Sequence, residues 1–282
     1  QVSIREPLYL QAWRGTWLTN PPPAMGGLLV ALGLQFLERR GSLNKSNWAQ
    51  EIPRALRHIS GLRNRGLDHA IHEPDIARKM LSTHLDLPHA PVEHEPDNRH
   101  GSTTHISIID AEGTSVAITT SNGEGSGIVV PGTGMHLNNM LGEEDINPGG
   151  FHRLPAGMEL PSMMAPTMFL RHGMPSLILG SGGSNRLRSA ILQAALRHVV
   201  LGDPIEKAVC FPRMHNEGNE LDVEPGILSE PAKHALEQQG WHIRTWRETS
   251  VYFGGVHAIA IDHRGGVDAA GDPRRGGVAW VQ

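Results

Sequence analysis

The sequence has few of the features that define several classes of protein. Of its 282 residues only Cys210 is a cysteine, which excludes an internal disulfide and a thiolate zinc site. Lysine and arginine number 25 against 29 acidic residues, so the net charge of -4 provides no basic excess for binding a nucleic acid backbone. The longest apolar stretch, residues 24–34, contains three glycines and is far too short to span a bilayer. It favours a core helix.

The composition that remains is that of a globular protein. Hydrophobic residues make up 39% of the chain and charged residues 19%, while 33 glycines, 20 prolines and 17 histidines stand out. The length suits one large unit that mixes helices and strands. The sequence begins with Gln1, not Met, and shows no charged-then-apolar leader, so we expect either that a leader was removed or that the sequence is a fragment.

The first hundred residues favour helices that lead into a linker. Residues 1–20 mix apolar and polar side chains without a clear period, and three consecutive prolines follow. Leucines recur near helical spacing from Leu28 to Leu37, and two further helical patterns follow before residue 84. Residues 87–101 contain three prolines and dense polar side chains, which predicts an exposed linker.

The pattern changes to strands at Ser102. Residues 104–109 alternate, a turn with glycine follows, and residues 115–120 return, which predicts a hairpin. Further along, the sequence predicts a second hairpin over residues 167–179 and three helices, over 187–200, 203–210 and 231–239. It also predicts three strands, over 241–246, over 257–262 and near 267. This order predicts stacked layers with an antiparallel sheet.

The change from linker to strand falls on the run Gly-Ser-Thr-Thr-His, residues 101–105. Taken alone, such a run at a strand start reflects β-propensity. Five other segments occur around it in a fixed order: NPPPAMGG (20–27), LNNMLGEED (137–145), PSMMAPT (161–167), LGSGGSNR (179–186) and GDPRRGG (271–277). With these motifs the sequence resembles the γ-glutamyltransferases (γ-glutamyltranspeptidases), members of the N-terminal nucleophile hydrolases. The resemblance covers residues 103–282 and, more weakly, residues 1–37.

In that family a single precursor cuts itself before a threonine, which becomes the nucleophile. A threonine hydroxyl reacts poorly unless a base lies beside it, and a terminal α-amino group, with a reference pKa of about 7.7–8.0, is such a base. The resemblance therefore implies cleavage between Ser102 and Thr103, through attack of the Thr103 hydroxyl on the Ser102 carbonyl. Thr103 is then the catalytic residue, and no cofactor or metal is implied.

Three further positions carry over, two of them with alternatives. Ser121 resembles the second hydroxyl that hydrogen-bonds the nucleophile, although a strand-end serine also commonly caps a turn. Asn122 resembles an asparagine that contacts the substrate's α-carboxylate or amino group. Glu143 falls where the family has an aspartate that pairs with the substrate ammonium, and the adjacent Glu144 and Asp145 suit the same charge-assisted bond. A solvated acidic loop is the alternative for these three.

Two more motifs resemble the family's binding sites for the acyl group and for the oxyanion. Ser162 matches the first of two serines that hold the substrate carboxylate, whereas Met163 replaces the second, which points to a different acyl group. Gly183 and Ser184 match the backbone amides of the oxyanion hole, the largest electrostatic contribution in many acyl transfers. A phosphate-binding loop is the rival interpretation, but that loop ends in Gly-Lys-Ser/Thr.

Clustered histidines suggest a metal site as a further alternative. They occur at His84, His89, His94, His100 and His105, with Glu93 and Glu95 interspersed. Ligands in a proline-rich segment lack the preformed geometry of a tight site. A solvated linker is therefore the favoured interpretation, and His105, within the strand, is predicted to be structural.

The resemblance implies an α+β fold, an αββα four-layer sandwich. Residues 1–102 would end the large-subunit segment and residues 103–282 would form the small catalytic subunit, both within one αββα unit. The implied reaction is γ-glutamyl transfer or hydrolysis, with glutathione-type donors and with water or an amine as the acceptor. Large and small subunits from one precursor are the implied partners, with no nucleic acid and no membrane span.

Two alternatives remain at this stage. A cephalosporin acylase-like or poly-γ-glutamate-processing enzyme would keep the nucleophile and change the substrate, as Met163 suggests. The resemblance implies that this chain is the C-terminal part of a longer precursor, because family members have a longer region, with a carboxylate-binding arginine, ahead of the position that matches Gln1. A catalytically incomplete fragment that keeps only the scaffold is therefore the other alternative. Family members are often periplasmic or extracellular, and a cytoplasmic location stays open.

Overall fold

The computed structural model describes residues 2–82, 103–147 and 149–282. Ser102, the predicted linker 87–101 and the histidines of the alternative metal site other than His105 lie outside the described residues. Within these ranges, six strands form one antiparallel sheet in the order β1–β2–β5–β6–β10–β11. Their bounds are Leu8–Ala12, Gly15–Thr19, Thr167–Arg171, Met174–Gly182, Gly255–Ile261 and Val267–Gly271.

The first predicted hairpin is confirmed and packs on this sheet. It consists of β3 (Thr103–Ile109) and β4 (Ser115–Ser121), and it contacts β6 and β10. The hairpin's apolar side chains face away from the sheet and are 38–47% exposed: Ile106, Ile108, Val116 and Ile118. In an αββα sandwich a second helical layer covers this outer face.

Helices cover the opposite face of the six-stranded sheet. The helix predicted after the prolines is α1 (Met25–Arg40), and α2 (Trp48–Leu62) packs beside it. A π-helical turn then leads into the remaining helices, which are α3 (Asp68–Ala70), α4 (Ile76–Ser82), α5 (Leu187–Val199), α6 (Ile205–Cys210) and α7 (Glu230–Gln238). The largest hydrophobic cluster among the described residues lies between these helices and the sheet. The predicted helices are thus confirmed, with ends that differ from the prediction by at most three residues.

Two features of the fold were not predicted. Strands β1 and β2 form a hairpin within residues 1–20, joined by Trp13 and Arg14, which both adopt left-handed backbone angles (φ 57° and 60°). Strands β7 (Met214–Glu217) and β8 (Glu220–Val223) form a separate three-stranded sheet with β9 (His242–Thr245), which pairs in parallel with β8. The chain therefore has one helical layer, one large sheet, the β3–β4 hairpin and a small peripheral sheet in the described ranges.

Candidate active site

The two hydroxyls proposed for catalysis meet at the open end of the β3–β4 hairpin. Thr103 begins β3 and Ser121 ends β4, and the register pairs them directly. Their hydroxyl oxygens, Thr103 Oγ1 and Ser121 Oγ, lie 2.8 Å apart, and the Gly123 amide donates to Ser121 Oγ at 3.0 Å. A hydroxyl that accepts one such bond keeps its proton and a second lone pair, so either hydroxyl of the pair can donate to the other.

A small solvent-open cleft lies over this pair. Six residues singled out from the sequence line it together: Thr103, Ser121, Glu143, Asp145, Ser162 and Met163. Ser184, from the predicted oxyanion loop, lines it as well. The structure thus brings together segments that are up to 81 positions apart in the chain, from residue 103 to residue 184.

The glycine-rich loop approaches the nucleophile because its glycines lack a Cβ. A Cβ on Gly182 would lie 2.2 Å from the carbonyl oxygen of Thr103, closer than any real contact allows. Gly183 has φ 127°, a backbone angle that favours glycine, and a Cβ there would lie 2.8 Å from Gly254. Gly183 is outside the residues that line the cleft, whereas Ser184, with φ 48°, faces it and donates its hydroxyl to Asp145 Oδ2 at 3.0 Å.

We expect Gly182→Ala to disrupt the site. Its methyl group would force the hairpin away from β6 at Thr103, which costs about 1–3 kcal/mol of unfolding free energy and lowers turnover at least about tenfold. Gly61→Ala, in α2 with no atom near the added methyl, is the matched control and should stabilise the protein slightly. Urea unfolding and steady-state kinetics on both variants measure this. Equal behaviour of the two variants would contradict the proposed close approach.

The structure separates the three adjacent acidic residues. Glu143 lies in extended conformation between two short 3-10 turns, and its Oε1 accepts from the Glu124 amide at 3.1 Å. Asp145 lines the cleft beside it, while Glu144 is exposed and outside the lining. Burial, followed by repulsion from Asp145, raises the pKa of Glu143. Two carboxylates of the three therefore face the cleft.

Asn122 also lies outside the residues that line the cleft. Its backbone carbonyl accepts from the amides of Gly125, at 2.9 Å, and of Asn139, at 3.2 Å. These bonds hold the loop after β4 against the segment that carries Glu143. The described contacts of Asn122 thus connect two walls of the site.

The motif at residues 20–27 positions Ser162, which lines the cleft. The Gly26 amide, at the start of α1, donates to the Ser162 carbonyl at 3.2 Å, and a Cβ on Gly26 would lie 2.0 Å from the Met163 carbonyl oxygen. The Met163 residue is only 5% exposed and belongs to the hydrophobic cluster. Glycine at position 26 is therefore what allows the Ser162–Met163 segment to lie directly against α1.

Several lining residues were missed by the sequence analysis. They are mostly apolar and flank the motif positions: Gly123, Met140, Ile146, Met164 and Leu187. The available signal was their adjacency to Ser121, Glu143, Ser162 and Ser184. Apolar residues next to a motif are more often core residues, so adjacency alone did not single them out.

A buried arginine ties two walls of the cleft together from behind. Arg63 is 1% exposed, and its guanidinium donates to Asp68 Oδ2 at 2.8 Å, to Asn185 Oδ1 at 2.8 Å and to the Asp145 carbonyl at 3.0 Å. Burial by itself lowers the pKa of Arg63, but the Asp68 carboxylate more than offsets this effect. The guanidinium is therefore charged and fixes Asp145 relative to the oxyanion loop.

His105 is buried between the hairpin and the sheet. Its ring nitrogens contact Thr119 Oγ1 at 2.8 Å and Ser107 Oγ at 3.0 Å, and a Cβ on Gly180 would collide with the ring. Burial, with a smaller effect of His257, lowers the pKa of His105 to about 3. The ring is therefore neutral at physiological pH and holds the hairpin two residues from the nucleophile. The described residues contain no cluster of three or more potential metal ligands.

This shift predicts a pH-dependent stability. The unfolded chain binds a proton at His105 below about pH 6.5, whereas the folded chain does not until about pH 3, so stability is lost as the pH falls through this window. We expect the free energy of unfolding to fall by about 2 kcal/mol from this residue between pH 6.5 and pH 5. In urea unfolding, the free energy of unfolding should depend less steeply on pH in His105→Gln than in the control His172→Gln. Residue 172 lies at an exposed turn. Parallel profiles for the two variants would contradict this.

The sequence is similar to those of known proenzymes. The chain is 26% identical to a glutathione hydrolase proenzyme of Bacillus subtilis, over 99% of this chain and 53% of the relative. It is 28% identical to an acylase ACY 1 proenzyme of Pseudomonas sp. strain SE83, over 96% of this chain and 50% of the relative. The chain spans about half the length of the curated relatives it matches.

Solved structures support the predicted fold class. A γ-glutamyltranspeptidase from Pseudomonas nitroreducens, complexed with L-DON, matches with a TM-score of 0.54 and 27% identity over 64% of this chain and 99% of that chain. The cephalosporin acylase from Bacillus halodurans is similar in fold, with a TM-score of 0.72 and 19% identity over 98% of this chain and 53% of that chain. The mixed helix-and-sheet fold of the N-terminal nucleophile hydrolases is thus confirmed.

No helix in the described part of the chain is both long and apolar enough to cross a membrane. The family model described as gamma-glutamyltranspeptidase matches residues 1–281, nearly the whole sequence. The match includes both the motifs that flank the cleft and the segment that leads to Thr103. The chain therefore belongs to the γ-glutamyltranspeptidase family.

Proposed function

We propose that this protein is an acyltransferase and hydrolase that acts through Thr103 on γ-glutamyl or related amides. The observation that carries the proposal is the 2.8 Å contact between Thr103 Oγ1 and Ser121 Oγ at a cleft that Ser184, of the glycine-rich loop, also lines. Amide acyl transfer needs a nucleophile and a partner hydroxyl, and the adjacent loop is where backbone donors for the oxyanion would lie.

The nucleophile would arise by cleavage of the Ser102–Thr103 bond. Cleavage frees the Thr103 amino group, which then accepts the hydroxyl proton during attack and returns it to the leaving amine. The matched P. nitroreducens chain corresponds to 64% of this sequence, and residues 103–282 make up the same share, which supports a small subunit that begins at Thr103. Residues 1–102 would then end the large-subunit segment of one αββα unit.

N-terminal sequencing and intact mass of the purified full-length gene product test the cleavage. We expect a fragment that begins with Thr-Thr-His, and a mixture of one-chain and two-chain forms during early incubation. An uncut chain that nevertheless turns over substrate would contradict the proposal.

An acylase-type substrate is the second candidate because Met163 takes the place of a carboxylate-binding serine and is buried at the cleft. The similarity to the acylase proenzyme supports this candidate. Competition of a γ-glutamyl anilide assay by glutaryl or cephalosporin compounds separates the two. Strong competition would favour an acylase-type substrate, whereas the absence of competition would favour a γ-glutamyl donor.

A further inference from the structure

Asn185 is a buried residue of the glycine-rich loop, residues 179–186. It is 4% exposed and directly follows Ser184, which lines the cleft. The two residues lie in a short 3-10 turn, Ser184–Arg186, that leads into α5. Asn185 therefore connects the wall of the cleft to the buried start of this helix.

Two buried guanidinium groups donate to Asn185. Arg63 Nη1 donates to its Oδ1 at 2.8 Å, and Arg188 Nη1 donates to the same oxygen at 3.3 Å and to the Asn185 backbone carbonyl at 2.9 Å. Both arginines are only 1% exposed. An amide oxygen has two lone pairs, so Oδ1 can accept both bonds at once. Asn185 is thus held from two directions, by the π-helical turn after α2 and by α5.

Each of these guanidinium groups also has a carboxylate partner. Asp68 Oδ2 accepts from Arg63 at 2.8 Å, and Glu217 Oε1 accepts from Arg188 at 3.0 Å. Burial by itself raises the pKa of Glu217, but the Arg188 guanidinium more than offsets this effect and keeps it well below its usual range. Because a guanidinium is a planar fork, several acceptors around it fix its orientation. The two donors to Asn185 are therefore charged and fixed in place.

The same contacts close a ring that includes the cleft. Ser184 donates its hydroxyl to Asp145 Oδ2 at 3.0 Å, and the Asp145 carbonyl accepts from Arg63 Nη2 at 3.0 Å. Since Arg63 Nη1 donates to Asn185, the neighbours Ser184 and Asn185 are both tied to one guanidinium. Ser184 has φ 48°, an angle that a residue with a side chain adopts where its surroundings hold it there. The ring holds the loop in this conformation.

We propose that Asn185 is a positioning residue, whose side-chain carbonyl fixes the peptide groups of the glycine-rich loop for binding of the oxyanion. This inference rests on the proposed function of Thr103. The Thr103 oxygen bonds to the amide carbon, its proton passes to the Thr103 amino group, and the carbonyl electron pair moves onto the oxygen. Backbone donors stabilise this charge if they already point to where it develops. A displaced loop therefore slows the chemical step, which lowers kcat more than it raises KM.

Asn185→Ala removes the oxygen that the two guanidinium groups share. The variant is measured as the cleaved full-length gene product with γ-glutamyl or glutaryl p-nitroanilide, whichever the wild type turns over faster. We expect kcat per cleaved chain to fall at least about tenfold, with KM changed less than about threefold. A folded variant with a smaller fall in kcat, or with a change confined to KM, would overturn the inference and leave the Thr103 chemistry in place. Wild-type protein with neither turnover nor an acyl adduct on Thr103 would contradict the proposed function itself.

Gln193→Ala is the control for a general loss of stability. Gln193 is likewise a buried amide, 2% exposed, in α5. Its side chain donates to the carbonyls of Ser189 and Met214 and accepts from the Met214 amide, at 2.7–3.0 Å, and these three residues lie outside the cleft lining. We expect urea unfolding to show a loss of stability in both variants, whereas kcat of Gln193→Ala stays within about twofold of wild type. Equal falls in kcat would show that Asn185 acts through stability alone, and would overturn the inference.

Two further variants test the contact itself. Asn185→Asp keeps an oxygen that both guanidinium groups can reach, and it should retain at least about three times the kcat of Asn185→Ala. Equal values would contradict the role given to this oxygen. Arg188→Lys keeps a charge beside Glu217 but loses the planar fork that holds Asn185, so kcat should fall at least about tenfold. If Asn185→Ala does not fold or is not cleaved, Arg188→Lys provides the test, and a wild-type kcat in that variant would overturn the inference.

Discussion

Thr103→Ala is expected to leave the chain in one piece and to lower anilide turnover at least about 10³-fold. Both effects come from one missing atom, since the Thr103 hydroxyl would attack the Ser102 carbonyl during cleavage and the substrate carbonyl during catalysis. The position is 9% exposed and paired with Ser121, so the change to alanine removes the hydroxyl without opening a large cavity.

Thr103→Ser is the matched control because it keeps the hydroxyl and loses a methyl group. We expect it to be cleaved and to retain measurable turnover. Gel electrophoresis follows the cleavage, and release of p-nitroaniline follows the turnover. Wild-type activity in Thr103→Ala would rule out Thr103 as the nucleophile.

Asp68→Ala is expected to lower the free energy of unfolding by about 3–5 kcal/mol. The change leaves the Arg63 guanidinium, 1% exposed, without the carboxylate that accepts two of its N–H groups. A buried charge without its partner is costly because it has lost its hydration. Since Arg63 also holds Asn185 and the Asp145 carbonyl, we expect KM to rise as well.

A solvent-exposed ion pair provides the control for this prediction. Arg78 bonds to Asp75 at 2.8 Å on the surface, and Arg78→Ala should cost less than about 1 kcal/mol. Urea unfolding at neutral pH compares the two variants. Equal losses would show that the Arg63–Asp68 pair does not have the structural role assigned to it.

Much of the fold could be predicted from periodic patterns, and the misses have physical causes. The hairpin of β1 and β2 was not predicted because its turn residues, Trp13 and Arg14, adopt left-handed backbone angles. Glycine or asparagine usually occupies such positions and makes the turn recognisable in a sequence. Strands β7 and β8 are four residues long and carry buried polar side chains, such as His215 and Asp222, whose partners come from distant segments. No local pattern reports such pairing.

The sequence was sufficient to predict which motifs form the candidate site, but not which of several adjacent residues face the cleft. The motifs placed Thr103, Ser121 and Ser162 at one cleft, as the structure does. Two of the three adjacent carboxylates, those of Glu143 and Asp145, face the cleft because two short 3-10 turns orient this segment. A run of acidic residues does not specify such turns. The buried Arg63 network likewise depends on contacts across 122 positions, from Arg63 to Asn185.

The central claim is that an acyl group is carried on a threonine that has become a chain terminus. Mass spectrometry of the full-length gene product, quenched during turnover of an anilide substrate and then digested, tests this claim most directly. The account predicts an acyl adduct on the peptide that begins with Thr103. An adduct on any other residue, or turnover by protein in which Ser102 and Thr103 remain joined, would contradict it.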